Sequence, residues 1–160
     1  MEYPTSCSIR RLKTVSVQIV LFVGIAGLLS PRAIAQNALP QPILPETLHW
    51  IDKPGGLPLQ ATWVLGAEVK PEPYLIRVKL ASGGRIPPHT HPDVRHTTVL
   101  SGTLYVGFGA TFDASRLVAI PTSAVYVAPA GGSHFLEARS GAVTYQETGV
   151  GPTGTMWIKP

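Results

Sequence analysis

Hydrophobic positions along the chain come in short runs in which apolar and polar residues tend to alternate. Tyr74, Ile76, Val78 and Leu80 occupy every second position of one run, and Arg77 and Lys79 lie between them. This period of two predicts a strand with one buried face. Other short runs rich in β-branched and aromatic residues predict further strands at 62–65, 97–100, 103–108, 117–120, 124–127, 135–139, 142–146 and 156–159.

Glycine and proline separate these runs, and each occurs 16 times among the 160 residues. That usage favours turns and short strands over long helices, and no stretch of 12 residues after residue 36 has a clear helical period. Ser101-Gly102 lies between two predicted strands and predicts a hairpin turn. We therefore expect an all-β sandwich or closed barrel. Six aromatic residues are expected to pack in or against its core: Tyr105, Phe108, Phe112, Tyr126, Phe135 and Trp157.

The first 35 residues have the composition of a secretory signal peptide. Arg10, Arg11 and Lys13 precede an uncharged, mostly apolar run over 15–29, and Ala-Ile-Ala at 33–35 offers a cleavage site. The apolar run is shorter than the roughly 20 residues that cross a bilayer, which favours cleavage over a stable membrane anchor. The adjacent arginines fit either a general secretion signal or a twin-arginine signal.

Cleavage after Ala35 changes the charge balance and the domain organisation. Residues 36–160 carry nine basic and eight acidic side chains, with no basic cluster that would indicate nucleic-acid binding. The chain has a single cysteine, Cys7, which lies in the predicted signal peptide. One cysteine cannot form an intrachain disulfide or a cysteine-based metal cluster. We predict a signal peptide at 1–35, an extended tail at 36–47 and one barrel domain at 48–160. The expected location is the periplasm or the medium.

His89 and His91 form the most informative local pattern. Side chains at i and i+2 of a strand point to the same face, so these two imidazoles can bind one metal ion together. The order Gly83, five residues, His89-Thr90-His91 and then Gly102 resembles the first motif of the cupin superfamily. The segment 129–134, Pro-Ala-Gly-Gly-Ser-His, is similar to the centre of the second cupin motif. The chain most resembles small secreted bacterial cupins with a single conserved barrel, because it shares short phrases with them at 88–92, 99–103 and 149–152.

The resemblance implies an antiparallel jelly-roll barrel of six to eight strands. It also implies one divalent transition metal (iron, manganese, zinc, nickel or copper) held inside by His89, His91 and His134. Three neutral imidazoles leave coordination positions open for water or substrate. A small-molecule ligand or substrate is the expected partner, and the resemblance extends to a possible homodimer.

The chain departs from the cupin pattern at the usual fourth ligand, a glutamate four residues after the second histidine. Arg95 stands there and has no lone pair for a metal. The next residue, His96, is a candidate ligand or acid–base group, and Asp93 and Glu147 are further candidates for a carboxylate ligand. In the second motif, Ser123 replaces the first glycine and residue 138 is alanine instead of asparagine.

Two polar residues are candidates for substrate binding. Arg95 could anchor an anionic substrate through its forked donors, or it could lie at the rim, paired with Asp93. Gln146 shares a strand face with Thr144 and Thr148, and that face lines either the barrel or the solvent.

Three functions fit these residues. A metal-dependent enzyme could act on a small molecule as an oxygenase with iron, or as an isomerase or hydrolase with zinc, manganese or nickel. A non-catalytic cupin of the cell envelope could bind a metal or a small ligand. A barrel that keeps its histidines only for structure is the least favoured, because buried imidazoles need partners.

Overall fold

A computed structural model describes residues 41–53 and 55–159 of this chain. The predicted signal peptide, Cys7 and the start of the predicted tail lie outside these residues. Pro45–Thr47 forms a single 3₁₀ turn before the first strand. Within the described part, no helix has the length and apolar character needed to span a bilayer.

In the described part of the chain, eleven strands form two antiparallel sheets. They are β1 (Ile51–Asp52), β2 (Leu59–Leu65), β3 (Pro73–Leu80), β4 (Arg85–Thr90), β5 (Arg95–Ser101), β6 (Thr103–Phe108), β7 (Val118–Pro121), β8 (Val125–Ala128), β9 (His134–Glu137), β10 (Val143–Val150) and β11 (Met156–Trp157). One sheet has the order β1-β2-β3-β10-β5-β8, and the other has the order β11-β4-β9-β6-β7. The all-β jelly-roll prediction is confirmed. The expected count of six to eight strands is too low, partly because β1 and β11 have only two residues each.

The core lies between the two sheets and follows the alternation of the sequence. On β3, Tyr74, Ile76, Val78 and Leu80 are buried, as their period of two predicts. The facing sheet contributes apolar side chains from β4, β6 and β9, so that the inner faces pack together. Of the predicted core aromatics, Tyr126 and Phe135 are buried. The predictions for Phe108 and Trp157 are wrong, since their side chains are 41% and 49% exposed.

The predicted hairpin at Ser101-Gly102 is also wrong. The strands on either side belong to different sheets: β5 pairs with β10 and β8, whereas β6 pairs with β9 and β7. Gly102 has a φ of 78° and lies so close to Ala142 that a Cβ there would be 2.6 Å from its carbonyl oxygen. The sharp turn is real, but it carries the chain from one sheet to the other, and a local turn signal does not distinguish the two cases.

β4 carries the first motif and was not among the strands that the hydrophobic pattern predicts. Pro87 and Pro88 lie in its middle and have no N–H to donate. The register of β4 against β9 is interrupted between Ile86 and His89, where these prolines lie. The strand therefore pairs on both sides of the prolines, which places His89 directly opposite His134.

Ser123→Gly is expected to raise the free energy of unfolding by about 0.5–1 kcal/mol. Ser123 is exposed in the turn before β8 and has a φ of 71°, a left-handed conformation that glycine adopts without a Cβ clash. Urea unfolding of the two proteins would measure the difference. Ser123→Ala is the control, since it keeps a Cβ and should not stabilise the protein; equal gains in both variants would contradict the explanation.

Candidate metal centre

Three histidines meet at one end of the space between the sheets. One ring nitrogen from each of His89, His91 and His134 lies within 4.8 Å of the others. The ring centroids are 4.2 Å apart for His89 and His134, 4.9 Å for His89 and His91, and 5.2 Å for His91 and His134. All three residues are at most 4% exposed. The structure thus brings together the three side chains that the sequence singles out as metal ligands.

Local backbone structure sets the positions of the three rings. His89 on β4 pairs in register with His134, the first residue of β9. His91 follows the end of β4, and its carbonyl accepts a hydrogen bond from the N–H of Gly131, at 2.7 Å. Gly131 has a φ of 68°, so the glycine of the second motif allows the turn that joins the two halves of the site.

Backbone carbonyls determine which nitrogen of each ring carries its proton. The Nδ1 atoms of His89, His91 and His134 lie 2.8, 2.7 and 3.1 Å from the carbonyl oxygens of Pro87, Gly154 and Gly132. A carbonyl oxygen can only accept, so each Nδ1 donates a hydrogen and each Nε2 of the neutral ring keeps a free lone pair. This is the arrangement that metal-binding histidines usually show.

Two of these lone pairs have no partner among the described residues. The Nε2 atoms of His91 and His134 are buried and make no hydrogen bond within residues 41–53 and 55–159. Buried polar atoms are normally satisfied, because an unpaired one costs about 1–3 kcal/mol. Three neutral imidazoles with inward lone pairs therefore fit a divalent transition metal.

Burial also keeps the rings neutral. Desolvation lowers the pKa of His89 to about 3, helped by the nearby His134, and lowers the pKa of His91 to about 4, helped by Arg95. Desolvation lowers the pKa of His134 as well. The site is therefore made of uncharged rings at neutral pH, the form that can donate a lone pair to a metal.

Acid is expected to destabilise the metal-free protein through these rings. Unfolded histidines take up protons near pH 6.5, whereas folded His89 and His91 do so only near pH 3 and 4. The unfolded chain therefore binds more protons between these values. Each ring then lowers the free energy of unfolding by up to about 1.4 kcal/mol per pH unit as the pH falls below 6.5.

Urea unfolding of chelator-treated protein between pH 7.5 and 5 would measure this slope. His91→Gln should make the slope shallower, because it removes one of the titrating rings. His49→Gln is the control at an exposed histidine and should leave the slope unchanged. A slope that is the same in all three proteins would contradict the assignment.

Arg95 lies beside the cluster, inside the fold rather than at its rim. Its side chain is 8% exposed, and its Nη1 donates to Oε2 of Glu147 at 2.8 Å. Asp93 is a weaker partner, with its Oδ1 3.8 Å from the Arg95 Nε. Among the described residues, the group that could hold one ion contains the three histidines and neither Asp93 nor Glu147. The two carboxylates that the sequence suggests as ligands instead face the arginine.

The remaining candidates lie outside the cluster. His96 is exposed on the outer face of β5, because neighbouring residues of a strand point to opposite faces and Arg95 points inward. Gln146 is half-buried on the outer face of β10, where its Oε1 accepts a hydrogen bond from Arg77 at 3.1 Å. The strand face that carries Gln146 therefore faces solvent and does not line the barrel. His96 is also on an outer face, away from the histidine cluster.

The C-terminal segment supplies residues that the sequence did not assign to the site. Gly154 accepts the hydrogen bond from His91, Thr153 lines the cavity, and the ring of Trp157 lies 5.3 Å from that of His89. Phe108 approaches the ring of His134 at 6.1 Å. The phrase at 149–152 marks this region in the sequence, but no local pattern shows that the chain folds back over the histidines.

A cavity of about 270 Å³ adjoins the cluster. His89, His91, Arg95 and Glu147 form its polar end. Its apolar wall comes from the inner faces of β2, β3 and β10 and contains Leu59, Ala61, Ile76, Val78 and Tyr145. A mostly apolar pocket with a few convergent polar groups is typical of small-molecule sites.

Known proteins resemble this chain in sequence over a limited segment. No family model matches the chain. Germin-like protein 5-1 of Oryza sativa subsp. japonica is 43% identical over 63 residues, which cover 38% of this chain and 27% of that protein. The match thus spans about a quarter of the length of this curated relative.

Solved structures resemble the chain over most of the described domain. The polyketide cyclase RemF from Streptomyces resistomycificus aligns with a TM-score of 0.62 at 14% identity, covering 76% of this chain and 87% of RemF. A cupin 2 conserved barrel domain protein from Leptotrichia buccalis aligns with a TM-score of 0.51 at 18% identity, covering 63% of this chain and 44% of that one. These identities establish a shared fold. The described domain therefore has the cupin barrel fold, with three clustered histidines at one site.

Proposed function

We propose that the protein binds one divalent transition metal through His89, His91 and His134 and acts as an enzyme on a small molecule held in the adjoining cavity. The observation that carries the proposal is the set of three buried rings whose Nδ1 atoms are bound to carbonyls. Two of the opposite Nε2 atoms are left without a partner. Export to the periplasm or the medium, with cleavage after Ala35, is a further part of the proposal that rests on the sequence, as is a homodimer.

The metal would supply a Lewis-acid or redox centre with open coordination positions. Imidazole ligands suit iron, nickel, copper and zinc. Manganese is the fifth candidate metal, from the family resemblance. The chain's own residues hold the rings neutral and orient them through the carbonyls of Pro87, Gly132 and Gly154. The apolar wall of the cavity would contact the apolar part of a substrate whose reacting group faces the histidines.

Two features support catalysis on a small organic molecule. The cavity of about 270 Å³ reaches His89 and His91 and has Trp63 and Trp157 among its lining residues. RemF, which shares the fold, is named a polyketide cyclase. An oxygenase reaction with iron or a Lewis-acid reaction with another metal would fit the three-histidine site.

A non-catalytic metal-binding or ligand-binding cupin is the second candidate. The observation that favours it is the ion pair between Arg95 and Glu147, which engages a carboxylate that lines the cavity together with His89 and His91. Asp93 is likewise engaged, since it accepts hydrogen bonds from Tyr74 and Thr153. Both carboxylates therefore have structural partners inside the fold, and neither is among the groups that could hold the ion.

Calorimetric titration of the chelator-treated protein with each candidate metal would test metal binding. We expect one binding site per chain, with release of few protons above pH 6 because the rings are already neutral. The absence of 1:1 binding for every metal would overturn the proposal. Incubating the loaded protein with a panel of small aromatic and polyketide-like compounds, followed by mass spectrometry, would then separate the candidates: turnover supports the enzyme, and binding without turnover supports the second candidate.

A further inference from the structure

The chain's C-terminal segment, residues 151–158, runs beside His89 and His91 of the histidine cluster. Backbone hydrogen bonds fix it from two directions: the N–H of Thr153 donates to the carbonyl oxygen of Glu68 at 2.8 Å, and the N–H of Ile158 donates to the carbonyl oxygen of Pro88 at 3.0 Å. β11 within this segment pairs with β4, which places Trp157 opposite His89. The segment thus forms part of the wall of the site.

Arg95 binds this segment from inside the fold. Its Nη2 donates to Oγ1 of Thr153 at 2.8 Å and to the carbonyl of Gly154 at 3.3 Å. Its Nη1 donates to Glu147 on β10, so one guanidinium connects the sheet to the segment. A planar fork with five N–H donors can hold several acceptors in fixed directions.

The carbonyl of Gly154 is the point where Arg95 and the histidine cluster meet. It accepts from Nδ1 of His91 at 2.7 Å and from Arg95 at 3.3 Å. Thr153 is held in turn, because its hydroxyl donates to Oδ1 of Asp93 at 2.5 Å, while Oδ2 accepts from the Tyr74 hydroxyl at 2.5 Å. The orientation of the Gly154 carbonyl therefore depends on a buried network centred on Arg95.

We propose that Arg95 is a positioning residue that holds the C-terminal segment against His91 and, through the Gly154 carbonyl, keeps the proton of His91 on Nδ1. Its position is the one at which cupins usually provide a carboxylate ligand. An arginine cannot bind the metal, but here it orients a neighbouring ligand from the surrounding shell. The effect of Arg95 on metal affinity rests on the proposed metal site. Its effects on the C-terminal segment and on the His91 tautomer do not need a bound metal.

The test uses Arg95→Met together with Glu147→Leu, so that no unpaired charge is left inside the fold. In metal-free protein, ¹⁵N spectra of the histidine side chains would report the tautomer of His91, and hydrogen exchange would report the amides of Thr153 and Ile158. We expect His91 to change from one tautomer to a mixture, and exchange of both amides to accelerate at least about ten-fold. Metal affinity, where the parent binds metal, should weaken about 10–100-fold.

Arg85→Met with Glu137→Leu is the matched control, because that ion pair joins β4 to β9 at 2.8 Å and has no bond to the C-terminal segment. It should change neither the His91 spectrum nor the exchange of the two amides. An unchanged tautomer and unchanged exchange in the Arg95 variant would overturn the inference. Since both readouts come from metal-free protein, a failure to bind any metal would count against the proposed function alone.

Discussion

Replacing His89 and His91 together by alanine is expected to reduce the bound metal from about one ion per chain to almost none. The two rings supply two of the three inward lone pairs, and His134 alone would remain. A single imidazole on a protein surface or in a cavity does not hold a divalent ion against a chelator. Elemental analysis by mass spectrometry, after equal exposure of both proteins to the candidate metals, gives the occupancy directly.

Two controls make this result specific to the site. His49→Ala removes an exposed histidine and should leave the occupancy at the parental value. His134→Gln replaces the third ligand by a polar side chain of similar volume and should reduce occupancy without leaving a large cavity. Circular dichroism would confirm that each variant is folded. Metal retained at the parental level in both cluster variants would contradict the assignment of the three ligands.

The element that is found would also divide the proposed chemistries. Iron would favour the oxygenase, because an open three-histidine iron site suits oxygen chemistry. Zinc, nickel or manganese would favour Lewis-acid chemistry. Nitrogen ligands bind copper most tightly among the divalent first-row metals. Binding of copper alone would therefore be compared with the metal that co-purifies with the protein before any metal is added.

Local patterns in the sequence predicted the parts of this fold that depend on local structure. The alternation on β3 gave the correct buried face, and the His-x-His spacing placed His89 and His91 together at the site. His134 lies opposite His89 because β4 pairs with β9, across 45 residues of sequence. Spacing within either motif does not show this pairing, so the prediction that His134 joins the site came from the family resemblance.

The errors concern interactions between distant parts of the chain. The turn at Ser101-Gly102 has the residues of a hairpin, but the partners of β5 and β6 come from elsewhere in the sequence. Arg95 and Glu147 are 52 residues apart, and only the pairing of β10 with β5 makes them neighbours. Trp157 has the character of a core residue, but it lies half-exposed beside His89 because β11 adds to the edge of the sheet.

Arg95→Met alone is expected to cost about 3–5 kcal/mol of unfolding free energy, because it leaves Glu147 buried without its partner. Both side chains of the pair are at most 8% exposed, and the N–O distance is 2.8 Å. Glu147→Leu alone should cost a similar amount, since the more distant Asp93 is then the carboxylate that remains to balance the charge of the buried guanidinium. Urea unfolding of the metal-free proteins at pH 7.5 would measure each change.

The double variant separates the ion pair from the hydrogen bonds that Arg95 makes to Thr153 and Gly154. With both charges gone, no buried charge is left unpaired, and the remaining cost should be about 1–2 kcal/mol for the lost bonds to the C-terminal segment. The two single changes would then be strongly non-additive, with a coupling of at least about 4 kcal/mol.

The pair of Arg85 and Glu137 provides the contrasting case. Arg85 is 58% exposed, and Glu137 keeps Arg139 as a second partner at 3.0 Å. Arg85→Met should therefore cost less than about 1 kcal/mol, as expected for an ion pair that solvent screens. If Arg95→Met were equally mild, Glu147 would have to reach solvent or another donor when its partner is removed. The guanidinium would then be dispensable to the fold, and its function would lie in the contacts to Thr153 and Gly154 beside the histidines.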